Sequence, residues 1–546
     1  MTTGYKINHA KDNAANYSIS TNMTTKIGAY TVAEDNVLQG LDMINTASEN
    51  LSLIEDKLIR LRALATQASN GTYGTQSLEA INAEAGALVD ELGRTYSTAE
   101  YNGVKVFKGT AKIEIPDGVG TTGNVGVQTA ATYSMRAANY GDFIDNPYTY
   151  TDEEVASMTT ITQAISESSL VSGGEYSISS VEELVALADY VNAGNDTTGM
   201  IFVLGADIDL SSISNWTPIG VYDYSNSIYF SGTFDGNGHV IQNLTCNTYS
   251  AGLFDCTSSD AEIKNIGIEG GSVKGSYNVG GLVAYSNSLI SNCYTTVSVD
   301  GIQYIGGLVG QSSGDISNSY ATGDVNGANA FGGLVGESRR AISNCYATGN
   351  VTGTSTSYKG GGLVGMSLQS SATISNCYAT GSVTGSNWVG GLVGQANVAK
   401  ISNSYATGNV SGNDRVGGLV GNAEHSSSSI VNSYATGSVT GKNNVGGLVG
   451  YSESYIRESY AVGSVTGNNN VGGLAGGVSE YSGTVTISNS YAMGNVNGDS
   501  FVGGLIGQVN RKSGTLNINN CLSYSMVSGS DFDSTGSFNW WCCCYD

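Results

Sequence analysis

Proline is close to absent from this chain, with three residues in 546 against 76 glycines. That much glycine, without a Gly-X-Y period and without proline, excludes a collagen-like rod and leaves glycine the task of making tight, regular turns. Charge is also scarce, at 12% of residues, and one-sided: 22 Lys and Arg stand against 46 Asp and Glu, for a formal net charge of −24. So acidic a chain excludes nucleic acid as a partner. The charge speaks of solubility and not of fold. No apolar run reaches the roughly 18 residues that a membrane span needs. The opening MTTGYKINHAKDNAAN has no apolar core of a secretory signal.

The residues that carry chemistry are thinly spread. The three histidines, His9, His239 and His425, lie in unrelated segments, and there is no HExxH, G-x-S-x-G or P-loop pattern. Cys246, Cys256, Cys293, Cys345, Cys377 and Cys521 are far apart and Cys542 to Cys544 are consecutive, which is not zinc-ligand spacing. No metal, no cofactor and no catalytic constellation are therefore expected. The acids Asp207, Asp209, Asp223 and Asp235, in ADIDL and TFDGNG, are where a glycan-cleaving carboxylate pair or a calcium ion would have to sit. Asx-type turn bonding accounts for Asp207 and Asp209.

What the sequence has in abundance is repetition. Gly-Gly-Leu recurs at Leu282, Leu308, Leu334, Leu363, Leu392, Leu419, Leu448, Leu474 and Leu505, with a partial copy at Leu253. Between these marks the same columns return: Ile316, Ile342, Ile401 and Ile456; Val325, Val351, Val410 and Val465; and a tyrosine column from Tyr294 to Tyr491 that gives way to Leu522. A fixed period in this range signals stacked units, none of which can bury an apolar face alone. Each unit offers short runs such as GGLVG and ISNSYAT, rich in Val, Ile, Tyr and Thr and punctuated by glycine, so its elements are strands.

Two to three strands per turn, closed by glycine corners where positive φ is cheap, make one rung of a β-solenoid. Its interior is assigned to Leu308, Leu334, Leu392 and Leu448 with the Ile and Val residues just named. At about 4.8 Å per rung, about ten rungs make a rod on the order of 45 Å long. Each buried aliphatic contributes roughly 1.5–3 kcal/mol, so one rung fails against its ordering entropy and the stack succeeds. A single strand through ISNSY would put Ile401 and Tyr405 on one face and Ser404 and Ala406 on the other; whether the tyrosines point in or out stays open. In the Ser404 column, Cys293, Cys345 and Cys377 read as core thiols. Cys345 and Cys377, on neighbouring rungs, are also separated as a disulfide requires.

The pattern G-G-L-V-G followed by I-S-N-S-Y-A-T-G-x-V-x-G resembles the GLUG repeat of bacterial surface proteins, among them one class of immunoglobulin A proteases. YSISSVEELVALADYVNAG (176–194), ADIDL, NWTPIG and FSGTFDGNGHVIQNLT resemble the module that precedes and caps β-helical surface proteins. The resemblance implies a short amphipathic helix near Val181–Val191, strands at 202–204 and 239–244, and protection of the first rung's edge. The protease activity found alongside GLUG repeats belongs to a separate domain of which no motif is present.

Residues 10–100 follow a helical grammar. Val37, Leu41, Ile44, Leu51, Ile54, Leu58, Leu61, Ala65 and Ala68 fall at three- and four-residue steps, Ser69-Asn70-Gly71 reads as a stop, and Gln76 to Tyr96 supplies a second helix. INHAKDNAANYSIS, LQGLDMINTASENL, IRLRALATQASNGT and EYNGVKVF resemble, in order, the N-terminal helical region of bacterial flagellin. That resemblance implies packing against flagellin-type subunits through residues 10–100, with the solenoid standing where flagellins carry a variable outer domain. It also implies a leading segment and closing C-terminal helices that are not evident here, which reads as a shortened gene product. By the same resemblance Arg60, Leu64 and Glu84 match positions read by a vertebrate Toll-like receptor, although Ile59 and Ala63 replace polar family residues. The plainer reading makes Arg60 and Glu84 solvated helix charges and packs Leu64 in the rod.

The resulting expectation is a mainly β chain with an α N-terminus, organised as a flagellin-like helical hairpin (1–110), an acidic connector (111–174), a cap module (175–260), a solenoid (261–530) and an irregular tail (531–546). Its expected function is structural and non-enzymatic, on an extracellular flagellum or cell surface, with a host surface or glycan as the solenoid's partner. The alternatives are a free-standing secreted adhesin or carbohydrate-binding β-helix, and a polysaccharide-degrading β-helix.

Overall fold

The computed structural model describes residues 150–529, apart from 224, 481–483 and 512–513, together with Lys57, Arg60, Leu88, Arg94, Glu100–Tyr101 and Val104–Lys105. The chain divides into two compact units, residues 1–143 and 144–546. In the first, Lys57, Arg60, Leu88 and Arg94 are helical, and Glu100–Tyr101 pairs antiparallel with Val104–Lys105. The remainder of the helical stripe, with Leu64 and Glu84, lies outside the described residues, as does the tail from 530.

The second unit is a parallel β-solenoid. One face is a sheet of fourteen strands running from Thr159–Thr160 to Thr515–Asn519, a second face is a sheet of ten strands from Phe254–Thr257 to Ile506–Arg511, and the remaining strands close the coil between them. Like residues pair with like from coil to coil: Ile374 pairs with Ile401 and Ile401 with Ile430, Val383 with Val410 and Val410 with Val439, and Tyr378 with Tyr405 and Tyr405 with Tyr434. Leucines stack at the corner through Leu392 N–H to the Leu419 carbonyl, 2.8 Å, and Leu419 N–H to the Leu448 carbonyl, 2.9 Å. All twelve aliphatic side chains assigned to the interior are at most 1% exposed.

The stack is longer than the ten rungs that Gly-Gly-Leu marks. Pairing begins at Thr159–Thr160 with Tyr176–Ser177, continues through Ile201–Leu204 and Thr233–Asp235, and only then meets the repeat. These leading strands lack the repeat's letters because aromatics fill their interior: Phe202, Phe230, Phe254 and Phe234 touch in sequence, with ring centroids 5.8, 5.2 and 5.3 Å apart. Three helices accompany them, α1 (Asp152–Ser157), α2 (Ile161–Ser166) and α3 (Val181–Asn192). Ser180 caps α3 by accepting from Glu183 N–H, and Leu184, Leu187, Ala188 and Val191 form its buried stripe.

Two corner expectations are corrected. ISNSY is not one strand: Lys400–Ser402 stops, Asn403 takes φ 50°, and Tyr405–Ala406 resumes on the next face. Asparagine populates this left-handed conformation at lower cost than other non-glycine residues, and Asn265, Asn292, Asn318, Asn344, Asn376, Asn432, Asn489 and Asn520 repeat it. The glycines of Gly-Gly-Leu serve close approach instead of positive φ. A Cβ on Gly391 would overlap the Gly418 carbonyl oxygen of the next coil, and one on Gly390 the Val393 oxygen.

Candidate functional site

The break at Asn403 decides which side chains face out. With the strand restarted, Ser404, Ala406, Gly408 and Val410 turn inward and are buried, while Asn403, Tyr405, Thr407, Asn409 and Ser411 form the outer surface. Stacking in register turns each outer residue into a ladder. Rings of Tyr294, Tyr320, Tyr346, Tyr378, Tyr405, Tyr434, Tyr460 and Tyr491 lie 4.6–5.0 Å apart with planes within 6° of parallel. The tyrosines are therefore an outer ladder, partly sunk between neighbouring columns. Burial, followed by the proximity of neighbouring phenols, pushes Tyr405 and Tyr460 above the usual tyrosine range. Tyr294 is pushed up by burial and by its bond to Glu269, 2.7 Å.

Asparagine amides run beside the rings. Asn376 Nδ2 donates to Asn344 Oδ1 at 3.2 Å, and Asn432 Nδ2 to Asn403 Oδ1 at 2.7 Å. On the far side Ser438 N–H donates to Asn409 Oδ1 at 2.9 Å, and Ser411 Oγ to Thr384 Oγ1 at 3.2 Å. Across the coils that begin at Asn344, Asn376, Asn403 and Asn432, these five outer columns hold no charged residue; Asp324 precedes them and Glu458 follows. The result is a flat, neutral, hydroxyl- and amide-lined face on a protein of net charge −24.

A second surface is built where the repeat varies. The residue two places before each Gly-Gly takes positive φ, and here it is bulky: Lys359 at 65°, Trp388 at 58°, Arg415 at 52°. Lys359 Nζ lies 5.8 Å from the Trp388 ring, and the Arg415 guanidinium 5.4 Å from Trp388 and 4.6 Å from Tyr451. Arg415 Nη1 donates to Asn422 Oδ1 at 2.9 Å and pairs with Glu424 at 3.4 Å, while Gln395 Nε2 donates to Glu424 at 2.9 Å. Burial lowers the Lys359 ammonium, opposed by Glu337 and Glu424. Neither the asparagine ladder nor this cation–ring stack was anticipated. The asparagine column was visible one place before the Ser and Cys column; the ridge has no repeated letter to find it by.

The four acids each make local bonds of their own. Asp209, Asp223 and Asp235 each accept from the amide two residues on, at 2.9, 2.9 and 2.8 Å, as Asx turns do. Asp207 differs from the expectation: its Oδ1 accepts from Val240 N–H at 3.1 Å and lies 3.2 Å from His239 Nδ1, bracing the adjacent coil. Asp235 is buried, 4.0 Å from Lys264 Nζ. Among the described residues no group of three or more His, Cys, Asp or Glu is disposed to hold a metal, and no helix is long and apolar enough to cross a membrane. Arg60 is helical and exposed.

Residues 1–112 match the bacterial flagellin N-terminal helical region, and the GLUG motif matches at 301–326, 327–352, 357–384, 385–411 and 412–440. Flagellin 1 of Proteus mirabilis is 35% identical over 124 residues, 23% of this chain and 34% of that one. Polar flagellin C of Vibrio parahaemolyticus is 37% identical over 110 residues, 20% of this chain and 29% of that one. The chain thus spans about a third of the length of the flagellins it matches. A Bacteroides ovatus crystal structure, assigned by name to the immunoglobulin A1 proteases, is 24% identical with a TM-score of 0.38, covering 44% of this chain and 78% of that one. This chain therefore joins a flagellin N-terminal helical region, residues 1–112, to a β-solenoid that carries GLUG motifs between residues 301 and 440.

Proposed function

We propose that this chain is a structural, filament-type surface protein, extracellular in location, whose solenoid is displayed outward from a flagellin-like base for adhesion or presentation. One observation carries the reading: a flagellin-type helical region shares a chain with a solenoid whose outer columns are uncharged ladders over the four coils that begin at Asn344, Asn376, Asn403 and Asn432. A helical base of that kind packs against flagellin-type subunits through residues 10–100. A parallel stack gives length and rigidity from a short repeated unit, since each coil contacts only its neighbours. The hydroxyl and amide face offers many weak hydrogen bonds without the desolvation that charges would bring, which suits a neutral glycan or host surface.

Co-sedimentation tests the base. The full chain, mixed with flagellin during polymerisation, is expected to pellet with filaments, and deletion of residues 10–100 to abolish this. A chain that stays in the supernatant while its solenoid still binds cells or glycans is instead a free-standing adhesin. A Toll-like receptor reporter assay with Arg60→Ala tests the receptor reading attached to Arg60, Leu64 and Glu84.

A further inference from the structure

Inside the asparagine corner runs a buried column of small residues: Cys293, Ser319, Cys345, Cys377, then serines from Ser404 to Ser490, and Cys521. The serines are fully engaged. Ser404 Oγ donates to the Ser402 carbonyl at 2.7 Å and accepts from Cys377 N–H at 3.1 Å, and Ser433 and Ser459 repeat the arrangement. A thiol fills this place less well. Cys345 and Cys377 reach the Ser343 and Ser375 carbonyls at 3.1 Å each, with the weak donor that a thiol is.

Cys345 and Cys377 are the described cysteines that occupy the column on consecutive coils. Ser343 pairs with Ser375 and Tyr346 with Tyr378, so the two cysteines are in register on parallel neighbours. Such neighbours lie about 4.8 Å apart, inside the roughly 4.4–6.8 Å Cα separation of disulfides. Both side chains point inward, are 1% exposed, and carry free thiols. Cys293 has Ser319 on the next coil, and Cys521 has Ser490 on the preceding one.

We propose that Cys345 and Cys377 are an oxidative modification site, forming an axial disulfide that staples two consecutive coils. A small-molecule disulfide is the co-reactant. One protein thiolate attacks it, releasing one small thiol and leaving a mixed disulfide; the second protein thiolate displaces the other small thiol as the Cys345–Cys377 bond forms. Two protein thiols are oxidised, one small disulfide is reduced to two thiols, and the two protons pass to the small thiolates. The inference does not rest on the filament reading.

Timing follows from burial. Both sulfurs are closed off from a small disulfide at 1% exposure, and loss of water, with the neighbouring thiol, pushes the Cys345 thiol well above the ordinary cysteine range, away from the reactive thiolate. The bond therefore forms as the coils assemble, not after they close. The full chain, refolded from denaturant with oxidised glutathione, is expected to yield a non-reduced peptide joining Cys345 to Cys377, whereas the already folded reduced protein under the same exposure is expected to yield it far more slowly. Cys345→Ser and Cys377→Ser, each placing the residue used by neighbouring coils, remove that peptide and the rise in unfolding midpoint that accompanies it; Cys293→Ser removes neither. Recovery of Cys345 and Cys377 alkylated after oxidative refolding, or an equal rise in midpoint in the serine variants, would overturn the proposal.

Discussion

The Tyr405 ring lies 5.0 Å from the Tyr434 ring, with the two planes 2° apart. Aromatic pairs left to themselves favour offset or edge-on contacts, so this parallel stack is imposed by the in-register backbone beneath it. Each ring is covered by its neighbours and cannot ionise in water's full presence. Burial raises Tyr405, Tyr460 and Tyr294, whereas unfolded tyrosines ionise near 10. The sign is then fixed: the unfolded chain loses its phenolic protons first, so the ladder's contribution to stability is fully present below about pH 10 and falls as pH rises above it. A spectrophotometric titration is expected to show ladder phenols ionising together with loss of the β signal. Smooth ionisation near pH 10 with the β signal intact would contradict the buried ladder.

A second pair tests packing along the axis. Phe331 stands in a column otherwise held by Val279, Ile305, Val389 and Val416, and the residue registered against it on the next coil is Gly360. A Cβ on Gly360 would lie 2.6 Å from Phe331 Cζ. The large ring fills the space that the glycine vacates. Gly360→Val alone is expected to destabilise by about 1–3 kcal/mol through overpacking, and Phe331→Val alone by a similar amount through a cavity. Together they restore the common column, so the double variant should lie well above the sum of the singles in chemical denaturation, with a coupling of at least about 1 kcal/mol. Additive losses would refute this complementarity.

Much of this architecture was legible in particular residues. Leu392, Ile401 and Val410 repeat at a fixed period with apolar side chains, and only an interior column asks for that. Asn403 hid its role because ISNSY alternates as a strand would; the left-handed corner comes from what an asparagine backbone tolerates, not from hydrophobicity, and it alone decides that Tyr405 faces out. Gly390 and Gly391 announced a constraint without saying which. Positive φ and close approach both select glycine, and the choice depends on the position of a carbonyl on another coil. Lys359, Trp388 and Arg415 share a column but no repeated letter, so their stack emerges only when coils are superposed. Phe202 and Phe234 take the place of isoleucine in the leading strands, which is why the period missed them.

The asparagine ladder has one interruption that invites repair. Glu458 occupies the corner between Asn432 and Asn489 at φ 52°, and its carboxylate forms an exposed pair with Arg457 at 3.6 Å. A left-handed residue other than glycine or asparagine costs roughly 1–2 kcal/mol, and an exposed ion pair returns little of it. Glu458→Asn is expected to stabilise the solenoid by about 1 kcal/mol, read as a higher denaturation midpoint, whereas Glu458→Gln is expected to be close to neutral. Equal effects of the two would locate the gain in lost charge and not in the corner.

The Gly-Gly corner makes the strongest demand. Gly391 N–H donates to the Gly417 carbonyl at 3.2 Å, Leu392 N–H to Leu419 at 2.8 Å, and a Cβ at Gly391 would overlap the Gly418 oxygen while standing 2.9 Å from the Ala406 Cβ. None of these atoms is the end of a flexible side chain, so Gly391→Ala must push adjacent coils apart and open the leucine column on both sides. Because each coil is stabilised by its neighbours, a weak interface divides the stack into two segments instead of loosening it evenly. Hydrogen exchange is expected to show amides of the coils adjoining residue 391 losing protection first, those downstream following, and the aromatic core around Phe202 and Phe234 keeping its own. Thr407→Ala, on the outer face of the same coil, should change stability by no more than about 0.5 kcal/mol. Uniform loss of protection from the cap to the last coil would mean that the solenoid unfolds as one unit and that the corner has no local role.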